Sequence, residues 1–393
     1  MPRRFAPHKV GLTASLAGLV SLLALAFGTV APFRIATGSP VNLFEALGTP
    51  AAVALIALWL ACLGASLVGA RSARASLARG LISAALIVAL VWLSGVAAER
   101  MLASETALAR YSMGAGVWLS AFSAFALVVA SRREAGEGSL GSLAVVSLAP
   151  VGIVVALLTG RLSSLGVAVE YRNVSEDFWL WTAQHVAYSA VAMGIAITVG
   201  VALGIFAHSK PRFAETVFTT TSIFQTIPGL AMIGILAVPL GMLAENSPAA
   251  QALGIGVLGW APVVVALTLY ALLVIVRNTA AGLNAVPDSI VDAARGMGLS
   301  EPQILRKVQL PLSAPIVFSG IRTASQQTIG NATLGVFVAA GTLGRPIFGG
   351  VSQTANDLVL LGSIALVALA LSTDIAMRGV QRFVSPRHLK GVQ

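Results

Sequence analysis

Charged side chains are scarce in this sequence. Only 10% of its 393 residues are Asp, Glu, Lys or Arg, whereas about 25% is usual in soluble globular proteins. Hydrophobic residues make up 57%, and the mean hydropathy is +0.88. This composition excludes a soluble globular protein and predicts an all-α integral membrane protein that crosses the bilayer many times.

Other absences exclude further classes. The single cysteine, Cys62, leaves no disulfide framework and no cysteine metal site. None of the four lysines lies in a G-x4-G-K-[ST] motif, so the chain has no Walker A loop for ATP. No Ser-His-Asp, H-E-x-x-H or paired intramembrane carboxylates occur, and His185 and His208 are each solitary. We therefore expect no catalytic activity, no metal and no cofactor bound by this chain.

The net charge of +10 is distributed along the chain instead of being clustered, which argues against nucleic acid as a partner. The basic residues fall between ten apolar runs of about the 20 residues that a spanning helix needs. The runs are 11–31, 51–70, 81–98, 114–131, 143–160, 183–207, 216–242, 252–276, 313–340 and 358–377. With a cytoplasmic N-terminus, 18 basic residues lie inside and 6 outside, with Arg322 near the inner end of the ninth run left out of both totals. This bias predicts that both termini and the segment 287–311 are cytoplasmic. A cleaved signal peptide is the alternative for the first run, but it lacks an A-x-A site, so a retained span is favoured.

The two halves differ in composition. Residues 1–165 form a five-span extension almost without intramembrane polar groups, and residues 166–182 form a polar outside linker whose Trp179 and Trp181 are expected at the membrane interface. Residues 183–382 form a second membrane domain, followed by a cytoplasmic tail at 383–393.

Intramembrane Gln, Asn, Pro and Asp residues are a feature of this second domain. The seventh run contains Gln225 and Pro228, where a kinked or broken helix is expected. The ninth contains Gln326, Gln327 and Asn331 within about two turns. Amides in hydrocarbon are costly unless they face water or a partner, so these five residues are predicted to line a translocation path. The alternative is that the amides only hold helices together.

Two further polar features have simpler interpretations. Asp374 is expected to pair with Arg378, one helical turn away. Gly341–Gly344 and Gly349–Gly350 are expected in an irregular outside loop.

The segment Pro287–Pro311 is the long polar stretch of the second half, and its pattern predicts two short helices around a bend. Asp288 is placed to cap the first helix, which Gly296 and Gly298 end with positive φ. Ser300 and Gln303 form a capping box for the second, and Pro311 is expected to stop it. An amphipathic cytoplasmic loop without special function is the alternative.

The spacing within this segment favours a specific function. Asp292-Ala293-Ala294, then Gly298, then Val308-Gln309-Leu310-Pro311 resembles the EAA loop of ABC importer permeases, with Asp for Glu and Val for Ile. In that family the loop docks into a separate ATPase subunit, which binds ATP and Mg. The resemblance therefore implies ATPase-coupling roles for the following residues: Asp292, Ala293, Ala294, Gly298, Ile304, Leu310 and Pro311.

Segments outside this loop resemble the permeases of osmoprotectant importers, and the five N-terminal spans resemble a longer subgroup of them. The matching stretches are 223–231, 266–273, 277–279, 293–298 and 320–324. The resemblance implies a type I importer membrane domain in the bacterial inner membrane, for a compatible solute such as glycine betaine, choline, carnitine or proline betaine. It also implies three partners: ATPase subunits, a second permease copy or paralogue, and a periplasmic or lipid-anchored solute-binding protein. An aromatic cage for the solute is expected in that binding protein, because 6% aromatic residues indicate no cage in this chain.

Three alternatives stay open at this point. A secondary transporter or channel without an ATPase would need intramembrane ionisable residues, for which only Asp374 is a candidate. A permease for another small polar solute, such as an amino acid, fits the same motifs. A membrane scaffold fits the N-terminal half but does not account for the loop.

Overall fold

The structure is a computed structural model that describes residues 9–67, 73–135 and 140–384. It forms two compact units: unit 1 is Met1–Asn173 with Gln353–Asp357, and unit 2 is Val174–Ser352 with Leu358–Gln393. Both termini, and all but the first two residues of the predicted tail, lie outside the described residues. The predicted domain limits and the cytoplasmic side of the termini stay predictions.

Unit 1 is a helical bundle. Helix α4 packs against α5 and α6, and α1 packs against α5 and α3. Trp59 fills its centre with no exposed surface and donates its indole N–H to Ser120 Oγ at 2.9 Å. Gly18 makes room for that ring, since a Cβ there would lie 2.1 Å from it. The helices are α1 (Lys9–Ala24), α2 (Leu43–Leu47), α3 (Thr49–Leu67), α4 (Ala73–Leu102), α5 (Ala115–Ala135), α6 (Leu140–Leu158) and the start of α7 (Gly166–Ser209).

A small antiparallel sheet in unit 1 was not predicted. Its strands are β1 (Gly28–Ala31), β2 (Ser39–Val41) and β3 (Arg110–Met113), in the order β2-β1-β3. The first apolar run therefore ends as a helix at Ala24 and continues into a strand, so the expected span at 11–31 is shorter than predicted. Strands of three or four residues are too short to show the alternation that identifies a strand in sequence.

The segment Gln353–Asp357 is held in unit 1 by charged side chains. Arg34 forms two parallel hydrogen bonds with the carboxylate of Glu170, at 2.7 and 2.9 Å, and a third to Gln353 Oε1 at 2.6 Å. Ser112 donates to Asp357 Oδ2 at 2.6 Å. Because Glu170 and Asp357 are at most 9% exposed, these bonds offset a desolvation cost that an unpaired carboxylate would pay in full.

Unit 2 is arranged around α11, which packs against α14, α8 and α9. The close contact of α7 with α11 uses Gly204, where a Cβ would lie 2.5 Å from Thr279 Cβ. Besides the rest of α7, unit 2 contains α8 (Pro211–Thr226), α9 (Gly229–Asn246), α10 (Pro248–Ala252), α11 (Trp260–Asn284), α12 (Asp288–Gly296), α13 (Glu301–Ile304), a π-helical turn (Leu305–Gln309), α14 (Leu310–Ala332), a 3-10 helix (Thr333–Val338), α15 (Gly344–Ser352) and, except for its first two residues, α16 (Asn356–Val384).

The described residues contain eight helices long and apolar enough to cross a membrane, against ten predicted runs. Residues 166–182, predicted as a linker, are helical and form the first part of α7. In the run predicted at 252–276, the spanning helix α11 begins only at Trp260, and it continues to Asn284. Gly349–Gly350 lie in α15 and not in an irregular loop. The run at 216–242 is broken between Thr226 and Gly229, as expected from Pro228.

Candidate functional site

The first helix of the Pro287–Pro311 segment, α12, ends in a Schellman motif. The N–H of Gly298 donates to the carbonyl of Arg295 at 2.9 Å, and the N–H of Leu299 donates to the carbonyl of Ala294 at 3.2 Å. Gly298 has φ +84°, the conformation that this motif requires and that glycine adopts without strain. The prediction for Gly298 is confirmed, whereas Gly296 is the last helical residue and has no positive φ.

Arg295 holds the two short helices together. Its Nε and Nη2 donate to Glu301 Oε1 on α13 at 3.0 and 2.8 Å, and its Nη1 donates to Asp292 Oδ1 on α12 at 2.7 Å. The hydrogen bond to Glu301 is the main cause that raises the pKa of Arg295 above its ordinary value. All three side chains are exposed, so solvent screens both pairs and the network fixes geometry more than stability.

The starts of the two helices differ. Ser300 donates its backbone N–H to Gln303 Oε1 at 2.9 Å, as the predicted capping box requires. The prediction for Asp288 is wrong: Pro287 occupies the N-cap position without a side-chain hydrogen bond, and Asp288 is the first helical residue. There its carboxylate faces the positive end of the helix dipole but caps no N–H.

The predicted stop at Pro311 is also wrong. The chain stays helical from α13 through the π-turn Leu305–Gln309 into α14, and Leu310 donates its N–H five residues back, to the carbonyl of Leu305. A proline in a helix clashes with the carbonyl four residues before it. The wider π-turn, placed just before Pro311, is where helices absorb such an insertion.

Burial divides the predicted coupling residues into two groups. Ala294 and Ile304 are 2% and 1% exposed, so they lie in the interior of the loop. Asp292, Ala293 and Pro311 are exposed and Leu310 is half-buried. Only the exposed side chains are available to a partner, and Ala294 and Ile304 pack in the interior beneath them.

The loop is fastened to the ends of two spans. His208, at the end of α7, places Nδ1 at 2.5 Å from Asn284 Oδ1 at the end of α11. Its Nε2 lies 3.4 Å from Gln309 Nε2 in the π-turn. His208 was expected to have no catalytic or metal role, and it instead connects three elements at this end of unit 2.

The break between α8 and α9 lies beside α11. Pro228 is in this break, and Gln225 is near the end of α8. Gln225 donates to the carbonyl of Tyr270 at 2.8 Å, and Tyr270 donates its hydroxyl to the carbonyl of Ile227 at 2.6 Å. That carbonyl lies between α8 and α9 and has lost its helical partner. The two side chains therefore stabilise the break and keep it in one geometry.

The amides of α14 do not share one environment. Gln326 donates to the carbonyl of Ala370 on α16 at 3.1 Å, which is a contact between helices. Gln327 is exposed and Asn331, one turn on, is half-exposed. The adjacent positions Gln326 and Gln327 thus lie on different faces, and only the face of Gln327 and Asn331 is open. The predicted translocation role of these residues stays a prediction.

Asp374 forms the expected ion pair with Arg378. It also accepts from Arg322 Nε of α14 at 2.6 Å, a contact that sequence analysis missed because 52 residues separate the two. This carboxylate is therefore committed to two guanidinium groups. Among the described residues no three His, Cys, Asp or Glu side chains come together as a metal site.

Comparison with known proteins covers almost the whole chain. Residues 194–387 match the family described as binding-protein-dependent transport system inner membrane component, and residues 7–168 match the ABC transporter permease YehY, N-terminal domain. A solved structure of the MetNI methionine ABC transporter, in an inward-facing conformation, aligns over 52% of this chain and 94% of its own, with 22% identity and a TM-score of 0.46.

Three relatives match the second half of the chain by sequence. The osmoprotectant import permease protein OsmW of Salmonella typhimurium is 34% identical over 53% of this chain and 92% of its own. The carnitine transport permease protein OpuCD of Listeria monocytogenes is 33% identical over 54% and 87%. The choline transport system permease protein OpuBD of Bacillus subtilis is 34% identical over 52% and 83%. The predicted resemblance, the mostly helical fold and the multi-pass inner-membrane location are confirmed.

Proposed function

Because the chain belongs to the family of binding-protein-dependent inner-membrane permeases, we propose that it is the permease subunit of an ATP-driven importer for a compatible solute. The observation that carries the proposal is the loop at Pro287–Pro311. Its exposed residues Asp292 and Ala293 are held in place by hydrogen bonds within the loop: the Schellman motif, the bond between Arg295 and Asp292, and the capping box. A surface loop without function would not need hydrogen bonds that fix its shape.

The loop gives the chain a way to respond to ATP without binding it. ATP binding closes the dimer of partner ATPase subunits, and the docked loop moves with them. The permease then alternates between inward-facing and outward-facing states. The ATPase determines the relative stability of these states through its contact with the loop. The exposed acidic Asp292 and the neighbouring small Ala293 allow an ATPase groove to approach the helix closely.

The translocation path is formed between this permease and a second copy or a paralogue. The open face of α14 with Gln327 and Asn331 supports this proposal, as does the break at Pro228 beside Gln225. Gln326 contributes by holding α14 against α16. A periplasmic or lipid-anchored binding protein delivers the solute at the end of unit 2 opposite the loop.

The solute class follows from the relatives, whose names cite osmoprotectants, carnitine and choline. We assign this chain the same chemical class, small quaternary ammonium compounds such as glycine betaine. An amino acid is the alternative that the test must separate from it.

The test is transport in proteoliposomes that contain the permease, its ATPase and its binding protein. We expect uptake of labelled glycine betaine, choline or carnitine that requires ATP, and co-purification of the ATPase with the wild-type chain. Asp292→Lys should lose both, while Asp292→Asn, which keeps the size of the side chain, should retain more of each. Uptake that proceeds without ATP would indicate a secondary transporter, and uptake of amino acids alone would overturn the solute class.

A further inference from the structure

Unit 2 contains a cleft of about 410 Å³ at the end remote from the loop. Its position follows from α11, which begins at Trp260 in the cleft and ends at Asn284 beside the loop. Three aromatic residues, Trp181, Tyr188 and Trp260, line it together with Asp177 and Arg345. The volume is within the range of about 300–1,000 Å³ that small-molecule sites occupy.

The backbone around the cleft is fixed by hydrogen bonds. Gly259, at φ +96°, donates its N–H to the carbonyl of Val338 at 2.6 Å. Ala339 has φ +58°, unusual for a residue other than glycine, and its carbonyl accepts from Arg345 Nη2 at 3.0 Å. Backbone held in a rare conformation by its surroundings is characteristic of binding sites.

A buried histidine holds the segment that follows Ala339. His185 has no exposed surface, and its Nδ1 accepts the N–H of Leu343 at 3.2 Å. Its Nε2 must then carry the proton and donate to the carbonyl of Ile329, 3.0 Å away. Gly341 lies so close to α7 that a Cβ would fall 1.6 Å from Gln184 Oε1. The cleft is therefore largely formed before any ligand arrives, which reduces the entropic cost of binding.

The lining combines three chemical features that few ligands satisfy together. Aromatic faces attract a cation whose charge is spread over methyl groups. The carboxylate of Asp177 favours the same cation, while the guanidinium of Arg345, 5.9 Å from the centre of the Trp181 ring, is a donor for a carboxylate. Asp177 and Arg345 are both exposed, so the cleft is open to solvent.

We propose that this cleft is a binding site for a zwitterion with a quaternary ammonium at one end and a carboxylate at the other. The ammonium contacts the rings of Tyr188 and Trp260 near Asp177, and the carboxylate pairs with Arg345. The identification of this ligand with the transported solute rests on the proposed function. The binding itself does not, because it requires neither ATP nor a binding protein. The cleft thus gives the permease its own selectivity in addition to that of the binding protein.

The test is equilibrium binding of labelled glycine betaine to the full chain with its ATPase in nanodiscs, without binding protein. We expect saturable binding that choline weakly displaces and that 3,3-dimethylbutyrate, which has the same shape without the positive charge, does not displace. Tyr188→Leu should weaken binding about tenfold, equivalent to about 1.4 kcal/mol, and Tyr188→Phe, which keeps the ring, should restore it. Trp179→Leu is the matched control, because Trp179 is on the same helix, 63% exposed and not part of the cleft.

Two charge variants test the orientation of the ligand. Arg345→Gln should weaken glycine betaine and leave choline, which has no carboxylate, unchanged, whereas Asp177→Asn should weaken both. Absence of saturable binding, equal displacement by 3,3-dimethylbutyrate, or equal effects of Tyr188→Leu and Trp179→Leu would each overturn the proposal. ATP-driven uptake without this binding would support the proposed function and refute the binding site in the cleft. Binding without ATP-driven uptake would support the binding site and refute the proposed function.

Discussion

Substituting alanine for Gly298 isolates the backbone geometry of the coupling loop. At φ +84° an L-residue is strained by roughly 1–2 kcal/mol. No atom lies within 4 Å of the Cβ position, so the added methyl group makes no clash and the whole effect comes from φ. Gly296 offers the matched control, because its Cβ position is equally open and its conformation is helical. There alanine should stabilise the helix by roughly 0.5–1 kcal/mol.

The strain in Gly298→Ala is relieved if the loop leaves the Schellman geometry, since the hydrogen bonds from Gly298 and Leu299 are local to the bend. A penalty of roughly 1–2 kcal/mol shifts that equilibrium by about 5- to 30-fold. The ATPase then binds only the fraction of permease whose loop keeps the native bend, and its apparent affinity falls in proportion. The spans do not depend on this bend, so the variant should accumulate in the membrane as the wild type does.

The measurement is the affinity of purified ATPase for permease in nanodiscs, together with the initial rate of uptake at saturating ATP. We expect Gly298→Ala to lower both and Gly296→Ala to change neither beyond about twofold. Gly298→Val should be worse than alanine, because β-branched residues tolerate positive φ least. Wild-type affinity and uptake in Gly298→Ala would falsify the argument that this loop is the coupling element.

Three further changes test other contacts. Arg295→Ala removes both ion pairs of the loop and should weaken ATPase binding a few-fold while leaving the Tm close to that of the wild type, since the pairs are exposed and screened by solvent; an unchanged affinity would mean that the pairs do not position the docking face. Tyr270→Phe leaves the carbonyl at the α8–α9 break without its 2.6 Å donor and should lower the free energy of unfolding by about 1–3 kcal/mol, seen as a lower Tm with ATPase binding retained. Arg34→Ala leaves the buried carboxylate of Glu170 unpaired and should speed amide exchange at residues 353–357, whereas exchange as in the wild type would show that this segment is held by other contacts.

The features predicted correctly are those that local chemistry determines. Gly298 lies between two short helices, and only a positive φ closes a Schellman motif there. Pro228 has no N–H to donate and Gly229 follows it directly, so a break between α8 and α9 follows from neighbouring residues alone. Ser300 and Gln303 are three residues apart, so their capping box needs nothing from the rest of the fold.

The features missed depend on residues far apart in the sequence. Arg34 contacts Gln353 across 319 positions, and no local pattern predicts that this segment belongs to unit 1. The cleft brings together residues from α7, the start of α11 and the segment from Ala339 to Arg345, so a chain with only 6% aromatic residues still concentrates three rings at one place. Pro311 was misjudged for a subtler reason: a π-turn accommodates a proline that a regular α-helix would not.

The continuity of the helix across Pro311 has a mechanical consequence for the proposed function. Glu301–Ile304, the π-turn and Leu310–Ala332 form one uninterrupted helical rod, about 45–50 Å long at about 1.5 Å per residue. Had Pro311 ended the helix, a displacement of the docked loop would have been absorbed at a flexible joint. Along a continuous rod it reaches the open face of Gln327 and Asn331 directly, because a hydrogen-bonded helix bends far less than a loop does. The Nε2 of Gln309 lies 3.4 Å from His208 Nε2, so the π-turn is also tied to the end of α7. Under the proposed function, this contact makes the π-turn the point about which a displaced loop would turn α14.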